Sequence, residues 1–275
     1  MAMNKKGNTV FFKNSPCVTS FAAVCGSKES AGIIGSYADI TLQDDMYEES
    51  TYEKAECKML TTAISLAIEK GGYSEGDIDL LLSGDLLNQI ISASFAARDY
   101  NFPFLGVYSA CSTMSESMLL GAMLVNAGYV KKAVAATGSH FASAERQYRY
   151  PLELGCTRPP QAQWTVTGAG CCVITDEKKG IKIVNGTMGK VCDFGVTDVN
   201  NMGAAMAPAD AIIPPYGRTH IPVAILRQAS FRLGRVRLVH SPRSSLAFLV
   251  LLASVRSLLL HSAADSQKRF NTPKT

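Results

Sequence analysis

The feature of this chain that most restricts its fold is a regular alternation between short apolar runs and longer segments with helical periodicity. The strand-like runs cover residues 17–25, 77–84, 102–110, 131–139, 169–174 and 181–187. Apolar residues recur at helical spacing between the first four of these runs. Strands that alternate with helices of about a dozen residues favour right-handed βαβ units and a mostly parallel sheet. The sequence therefore predicts an α/β fold with the order βαβαβαββ.

The clearest of the predicted helices follows a polar loop. Ser50 and Glu53 have the spacing of a capping box, in which the serine accepts from a helical amide and the glutamate reaches back to the cap. A Gly-Gly pair at 71–72 ends the apolar pattern, as glycine does at a helix C-terminus. Two more helices are predicted over 86–98 and 112–127, the second with a methionine-rich apolar face.

The charge of the chain changes abruptly along its length. Residues 1–210 carry 17 basic and 22 acidic side chains, whereas residues 211–275 carry 10 basic side chains and one acidic side chain, Asp265. The strand and helix patterns also stop in the second part. We therefore predict a folded part over 1–209 and a basic tail over 210–275 that is out of frame or disordered. A genuine tail that docks on an anionic membrane is the competing hypothesis.

The cysteines and glycines argue against several kinds of site. The eight cysteines show no framework of disulfide pairs and no CxxC motif, so we expect thiols and no zinc site. No basic segment followed by an apolar one opens the chain, which predicts a reducing, cytosol-facing compartment. The glycine-rich TVTGAG at 165–170 precedes a strand rather than a helix, so it is not a dinucleotide loop. We expect no cofactor, no metal and no nucleic-acid partner.

The stretch YSACSTMSES at 108–117 places a cysteine where a predicted strand turns into a predicted helix. In α/β sheets, ligands bind beyond the carboxyl ends of the strands. The N-terminus of the helix would favour a thiolate at Cys111, which would make that side chain a nucleophile. The alternative is that Cys111 is only a small residue at a sharp turn, and the spacing does not decide between the two.

Three further side chains are candidates for the same crevice. Asp85 and His140 each come directly after a predicted strand, so both would face the edge where ligands bind. The alternative for Asp85 is a cap of the next helix, and the alternative for His140 is an exposed position in a loop. Arg146 offers forked donors for an anionic ligand, with a solvated surface pair as its alternative.

Several long motifs, in order along the chain, resemble one protein family. FLGVYSACSTMSES, TGSHFASAERQYRYP, PPQAQWTVTGAG and GKVCDFGVTDVNNMGAAMAP, together with SASFAAR, are similar to the stage V sporulation protein AD family of spore-forming bacteria. The resemblance implies a thiolase-like fold. Residues 1–209 would be the N-terminal βαβαβαββ half of an αβαβα layered fold whose second half is missing. Cys111 matches the position of the nucleophile in ketoacyl synthases and thiolases.

This resemblance implies binding rather than condensation. The family is understood as the membrane-associated component of the machinery that moves dipicolinic acid, a pyridine with two carboxylates, into the developing spore. The implied partners are dipicolinic acid and other proteins of that spore membrane machinery. The implied location is cytoplasmic, peripheral on the spore inner membrane. The candidate ligand-binding residues are then Cys111, His140, Asp85 and Arg146, with no catalytic residue assigned.

Two competing hypotheses stay open. A thiolase-like acyltransferase of the ketoacyl synthase type would use Cys111 as its nucleophile, with partner groups from the second half. A half-domain that acts only as an interaction module is the other. A thiolate alone is not sufficient for condensation, which also needs an acid/base or oxyanion group. The preferred hypothesis is therefore a non-catalytic protein that binds dipicolinic acid.

Overall fold

A mixed β-sheet with helices on both faces forms the centre of the fold. The computed structural model describes residues 5–32, 35–148, 165–189, 220–227 and 230–239. The strands are β1 (Lys5–Lys6), β2 (Thr9–Phe11), β3 (Cys17–Cys25), β4 (Ile40–Thr41), β5 (Leu80–Gly84), β6 (Phe104–Gly106), β7 (Lys132–Ser139), β8 (Gly168–Thr175), β9 (Ile181–Thr187), β10 (His220–Arg227) and β11 (Ser230–Val239). The helices are α1 (Ser27–Ser30), α2 (Tyr52–Gly71), α3 (Ile91–Arg98), α4 (Thr113–Ala127) and α5 (Phe141–Tyr148).

The order of the central strands confirms the predicted α/β architecture, but the prediction of a mostly parallel sheet is wrong, because β8 and β9 run antiparallel to their neighbours. The order is β9-β3-β8-β7-β5-β6. β5 pairs with β6 and β7 in parallel, whereas β8 runs antiparallel to both β3 and β7. β3, β5, β6 and β7 therefore run in one direction, and their carboxyl ends lie at the same edge of the sheet. Asp85, Cys111 and His140 come after the carboxyl ends of β5, β6 and β7 at this edge.

Alternate side chains of the strands point into two cores, one on each face of the sheet. In β5, Leu81 packs in the core that contains α2 and α3, whereas Leu80 and Leu82 pack in the core that contains α4. Val134 and Ala133 of β7 divide between the two cores in the same way. Because both faces are covered, the central strands read as continuous apolar runs in the sequence.

The predicted capping box of α2 does not form. Thr51 is the N-cap, and its hydroxyl accepts from the backbone amide of Lys54 at 3.3 Å. The Ser50 hydroxyl lies instead 3.3 Å from Nζ of Lys54. The carboxylate of Glu53, which would have reached back to the cap, pairs with Arg146. The helix ends at the predicted glycine pair, and the second glycine takes a left-handed φ of 73°.

The other two predicted helices form with corrected boundaries. α4 has the predicted buried face, which contains Met114, Met118, Ala122 and Val125. The predicted helix over 86–98 is shorter, because Gln89 and Ile90 have left-handed φ angles of 63° and 48° that regular helix excludes. Only the α3 segment of that range is α-helical.

Part of the basic tail forms strands that the sequence pattern did not predict. β10 and β11 form an antiparallel hairpin, and β11 pairs with β9. β10 lies beside the turn at Ala110–Ser112. The remainder of 210–275 lies outside the described residues, as do 149–164 and 190–219 with parts of the family-like motifs. The hypothesis that the tail is out of frame stays a prediction.

The described cysteines carry thiols rather than disulfides; they are Cys17, Cys25, Cys57, Cys111, Cys171 and Cys172. Within the described part of the chain, no group of three or more His, Cys, Asp or Glu side chains is placed to hold a metal ion. None of the helices described is both long and apolar enough to cross a bilayer.

Candidate functional site

The carboxyl ends of the parallel strands bring the candidate residues to one edge of the sheet. Gly84 at the end of β5 pairs with Thr137 of β7. Ser139, at the end of β7, pairs with Gly168 of β8, which also pairs with Cys25 at the end of β3. Asp85 directly follows β5, His140 directly follows β7, and Cys111 follows the parallel strand β6 after a short intervening segment. The predicted location of a site at this edge agrees with the general rule for α/β sheets.

Cys111 lies in a single 3₁₀ turn, Ala110–Ser112, between β6 and α4. Ala110 has a left-handed φ of 45°, which is costly for a residue with a side chain. The backbone amide of Ser112 donates to the Ser109 oxygen at 3.1 Å, and the two serine hydroxyls lie 3.0 Å apart. Cys111 is partly exposed. A strained turn fits both a positioned nucleophile and a small residue at a sharp bend.

Gly84 allows the segment that carries this turn to pass close to the sheet. A Cβ atom at Gly84 would lie 1.8 Å from the backbone oxygen of Val107. The backbone amide of Val107 donates to the backbone oxygen of Ser83 at 2.9 Å. The Thr137 hydroxyl donates to the backbone oxygen of Gly84 at 3.0 Å. Only glycine fits at this close approach, so the end of β5 fixes the position at which α4 begins.

Asp85 is buried and caps α3. Its Oδ1 accepts from the amide of Leu87 at 2.8 Å, and its Oδ2 accepts from the amide of Ala93 at 2.6 Å. Burial raises the pKa of the Asp85 carboxyl, and these backbone donors act in the opposite direction. Both oxygens are engaged by the backbone, which is the capping role given above as the alternative to ligand binding.

His140 lies directly before α5 and is fully buried rather than exposed in a loop. Nδ1 of His140 accepts from the backbone amide of Ala142 at 3.2 Å, so the ring proton lies on Nε2. Nε2 donates to the backbone oxygen of Asp45 at 2.8 Å. The imidazole ring contacts the ring of Tyr52 in a tilted arrangement, with the centroids 4.9 Å apart, and it stacks on the ring of Phe141, with the centroids 5.1 Å apart. Burial lowers the pKa of the imidazole, so the ring is neutral at physiological pH.

Arg146 lies in a surface ion pair. Its Nη1 donates to Oε1 of Glu53 at 2.8 Å, and the two side chains are 40% and 34% exposed. The pair joins α5 to the first turn of α2. This contact is the solvated pair that the sequence left open as the alternative to anion binding.

A polar residue that the sequence analysis missed, Glu56, lies on α2 near the same edge. Its side chain is fully buried, and its Oε2 lies 2.7 Å from the hydroxyl of Ser143. Burial is the main cause that raises the pKa of Glu56 to about 8. The sequence does indicate that Glu56 is buried, because it precedes Met59 and Leu60 by three and four residues and so falls on the apolar face of α2.

Comparison with solved structures defines the class of the fold. Two variants of OleA from Xanthomonas campestris match this chain with TM-scores of 0.51 each. The Glu-to-Asp variant is 13% identical and covers 83% of this chain and 100% of its own. The Glu-to-Gln variant is 12% identical and covers 84% of this chain and 99% of its own. At this level of identity the match shows the fold alone, and the chain has a thiolase-like fold.

Comparison of sequences identifies the family within this fold. The family model of stage V sporulation protein AD matches residues 6–214, and the chain belongs to this family. Stage V sporulation protein AD of Bacillus subtilis (strain 168) is 43% identical to it over 203 residues. The match covers 74% of this chain and 60% of that relative, which is less than two thirds of its length. The predicted family and the predicted thiolase-like α/β fold are both confirmed.

Proposed function

We propose that this chain is a non-catalytic, ligand-binding sporulation protein, and that its ligand is dipicolinic acid for uptake into the developing spore. Family membership supports the first part. The observation that carries the proposal is the state of His140 and Asp85. The backbone engages both nitrogens of His140 and both oxygens of Asp85. His140 would have to break a buried hydrogen bond to take a proton from Cys111, and Asp85 serves as a buried cap of α3, although the turn that positions Cys111 is present.

The N-terminus of α4 supports an anionic ligand beside this turn. Its N-cap residue, Ser112, makes no side-chain bond to the first amides of α4, because its hydroxyl bonds to Ser109 instead. Helix N-terminal amides and the helix dipole favour a carboxylate. A dicarboxylate that approaches the partly exposed Cys111 would meet this end of the helix. By the family resemblance, we also propose other proteins of the spore membrane machinery as partners, at the spore inner membrane.

Calorimetric titration of the folded chain with dipicolinic acid tests the proposal. Pyridine-3,5-dicarboxylic acid is the control ligand, because it has the same charge with a different placement of the carboxylates. We expect heat with dipicolinic acid only, and weaker binding in Cys111→Leu, which would place a larger side chain beside the turn. Cys57→Ala is the matched variant, since Cys57 is also a partly buried thiol but lies on α2. No heat with dipicolinic acid would contradict the proposal, and equal heat with both isomers would reduce it to charge attraction.

An acyltransferase that uses Cys111 is the second candidate. The observation that favours it is the left-handed Ala110 next to a cysteine two residues before α4. Backbone strain of this kind occurs at positioned nucleophiles, and a helix N-terminus favours the thiolate. The two candidates differ in whether a covalent acyl adduct forms on Cys111.

A further inference from the structure

Glu56 sits where three helices meet. It lies in the second turn of α2, and its Oε2 contacts the Ser143 hydroxyl of α5 at 2.7 Å. The Ser92 hydroxyl at the start of α3 is close enough to affect the carboxyl. Oε1 of Glu56 and Oγ of Ser92 are both buried, and among the described residues neither makes a hydrogen bond of good geometry. A fully buried carboxyl with so few donors is a poor site for a negative charge.

The single hydroxyl hydrogen of Ser143 also favours a protonated Glu56. Its hydroxyl lies 2.7 Å from Oε2 of Glu56 and 3.2 Å from the backbone oxygen of His140. One hydroxyl hydrogen serves only one of these acceptors. If Glu56 is protonated, its own hydrogen is donated to Ser143, and the Ser143 hydrogen is donated to the His140 oxygen. The neutral acid satisfies both contacts, whereas the carboxylate satisfies one.

The charges on the neighbouring elements do not favour ionisation. Asp85, which caps α3, and Glu53, one turn earlier on α2, both disfavour a second negative charge. Arg146 of α5 is the nearby cation, and it pairs with Glu53 at 2.8 Å. The ring of His140 is neutral. Among these groups none supplies a positive charge to the buried carboxyl.

The sheet beneath α2 contributes no cation at this end either. The titratable groups at this end of the strands that pack against α2 are thiols, Cys25 of β3 and Cys171 of β8, and burial raises both of their pKa values. Lys132 begins β7 at the opposite end, where its ammonium lies 5.3 Å from the ring centroid of Tyr73. The N-termini of α3 and α5 favour a negative charge, but Asp85 already occupies the first of them.

We propose that Glu56 is a neutral carboxylic acid in the native protein and acts as a proton-operated latch that holds the start of α5 against α2. Ionisation would leave a buried negative charge between two acidic side chains and would remove the donor to Ser143, so the latch would loosen. With the pKa of Glu56 raised to about 8, this change falls in the mildly alkaline range. The latch is independent of the ligand proposed above.

The direction of the pH dependence follows from proton linkage. The native state holds its proton up to about pH 8, whereas an unfolded glutamate loses it near the ordinary value of 4.5. Between these values the unfolding equilibrium constant rises by up to about tenfold per pH unit. His140 has the opposite dependence, because its lowered pKa destabilises the native state as the pH falls below about 6.5. Between about pH 6.5 and 8 the contribution of His140 is therefore small, and the comparison with Glu56→Gln separates the contribution of Glu56 from that of Glu29, whose pKa burial also raises.

Chemical denaturation of the full chain across this window tests the protonation of Glu56. We expect the wild-type unfolding constant to rise by about tenfold per pH unit. Glu56→Gln should lose this dependence, because its amide replaces the carboxyl hydrogen without titrating. Glu53→Gln is the matched control on the same helix, since Glu53 is partly exposed and paired, and it should keep the wild-type dependence. An identical profile in all three proteins would overturn the proposal.

Infrared spectroscopy of the wild-type chain with isotope-labelled glutamate does not depend on any variant. We expect the C=O stretch of a protonated carboxylic acid at neutral pH, lost as the pH passes about 8. Absence of that band at neutral pH would overturn the proposal even if Glu56→Gln did not fold.

Amide hydrogen exchange tests the latch itself. The protection factor of Ala144 in α5, which already removes the intrinsic effect of pH, should be smaller than that of Leu81 in the centre of the sheet and should fall between about pH 6.5 and 8, because a local opening at α5 exposes Glu56. Leu81 exchanges through global unfolding, so its protection factor should follow the unfolding constant. A titrating carboxyl with unchanged protection at Ala144 would show that Glu56 is protonated but holds no latch.

Discussion

Nε2 of His140 lies 2.8 Å from the backbone oxygen of Asp45, and this hydrogen bond ties the loop before α2 to the start of α5. The other ring nitrogen accepts from the amide of Ala142, so the imidazole is a buried, neutral cap. A base for Cys111 would have to give up one of these two bonds. His140 therefore belongs to the framework of the site in this structure, and its assignment as a ligand-binding residue stays a prediction.

Replacement of His140 should show this structural role. We expect His140→Ala to lower the free energy of unfolding by about 1–3 kcal/mol, because the Asp45 oxygen and the Ala142 amide lose their buried partner. Denaturant unfolding at about pH 7.5, above the ordinary imidazole pKa, measures this. The folded pKa of His140 is lowered, so protonation of this side chain costs the wild-type protein stability below about pH 6.5, and its stability advantage over His140→Ala should shrink in that range. An imidazole NMR signal that titrates at its ordinary value would contradict the assignment.

Asp85→Asn should destabilise the protein by about 1–2 kcal/mol, as loss of a helix cap does. The asparagine amide has only one oxygen, so it cannot accept from both Leu87 and Ala93 as the two carboxylate oxygens do. Asp99→Asn is the control, because Asp99 is exposed and pairs with the neighbouring Arg98. Denaturant unfolding of the three proteins measures the difference. If Asp85→Asn kept full stability and lost only ligand binding, Asp85 would be a ligand contact rather than a cap.

Gly84→Ala should misplace the segment that carries Cys111. The added methyl would meet the Val107 oxygen at 1.8 Å, and relief of such an overlap costs about 3 kcal/mol. We also expect faster modification of Cys111 by a thiol reagent, followed by peptide mass spectrometry. Gly76→Ala is the control, because its nearest neighbour would be a serine hydroxyl at 3.9 Å. Equal stability of the two variants would show that the close approach at Gly84 does not position α4.

The central elements were predictable because their burial is regular. The strand from Cys17 to Cys25 and the strand from Ile181 to Thr187 form with the predicted boundaries, since each buries an uninterrupted or alternating apolar pattern. α4 follows from the spacing of its methionines for the same reason. These elements bury apolar side chains at a regular spacing, and that spacing can be read directly from the sequence.

The polar contacts were not predictable in the same way, because long-range packing decides them. Nothing in the sequence near His140 announces its bond to Asp45, which is 95 positions away. Thr51 rather than Ser50 caps α2, and Glu53 pairs with Arg146, which is 93 positions away. Glu56 is the exception, since a charged residue on an apolar helical face is itself a signal of an unusual environment.

The basic tail leads to a prediction about the coding sequence. We expect a translation of the same DNA in another forward frame to restore an acidic segment with strand and helix patterns after residue 209. The motivation is that residues 211–275 contain one acidic side chain against 10 basic ones. The family match ends at 214, close to the same point. If neither alternative frame restores such a segment, the tail is a genuine part of the protein, and β10 and β11 are then native strands.

The last prediction concerns covalent chemistry at Cys111. Incubation of the folded chain with an acyl-coenzyme A should leave no acyl group on this thiol. Acyl transfer needs a group that accepts the thiol proton and donors that stabilise the oxyanion. Both nitrogens of His140 bond to backbone groups and Asp85 caps α3, so we expect neither residue to supply these functions.

Intact-protein mass spectrometry measures the adduct, and Cys111→Ala identifies any signal from the other thiols. Iodoacetamide labelling of Cys111 in the same sample is the positive control, because it shows that the partly exposed thiol is reachable. A stable acyl adduct that Cys111→Ala abolishes would establish the acyltransferase candidate over the non-catalytic one. Labelling by iodoacetamide without any acyl adduct would mean that access is present and activation is absent, which is the behaviour expected of a binding protein that has kept the fold and the turn of an enzyme.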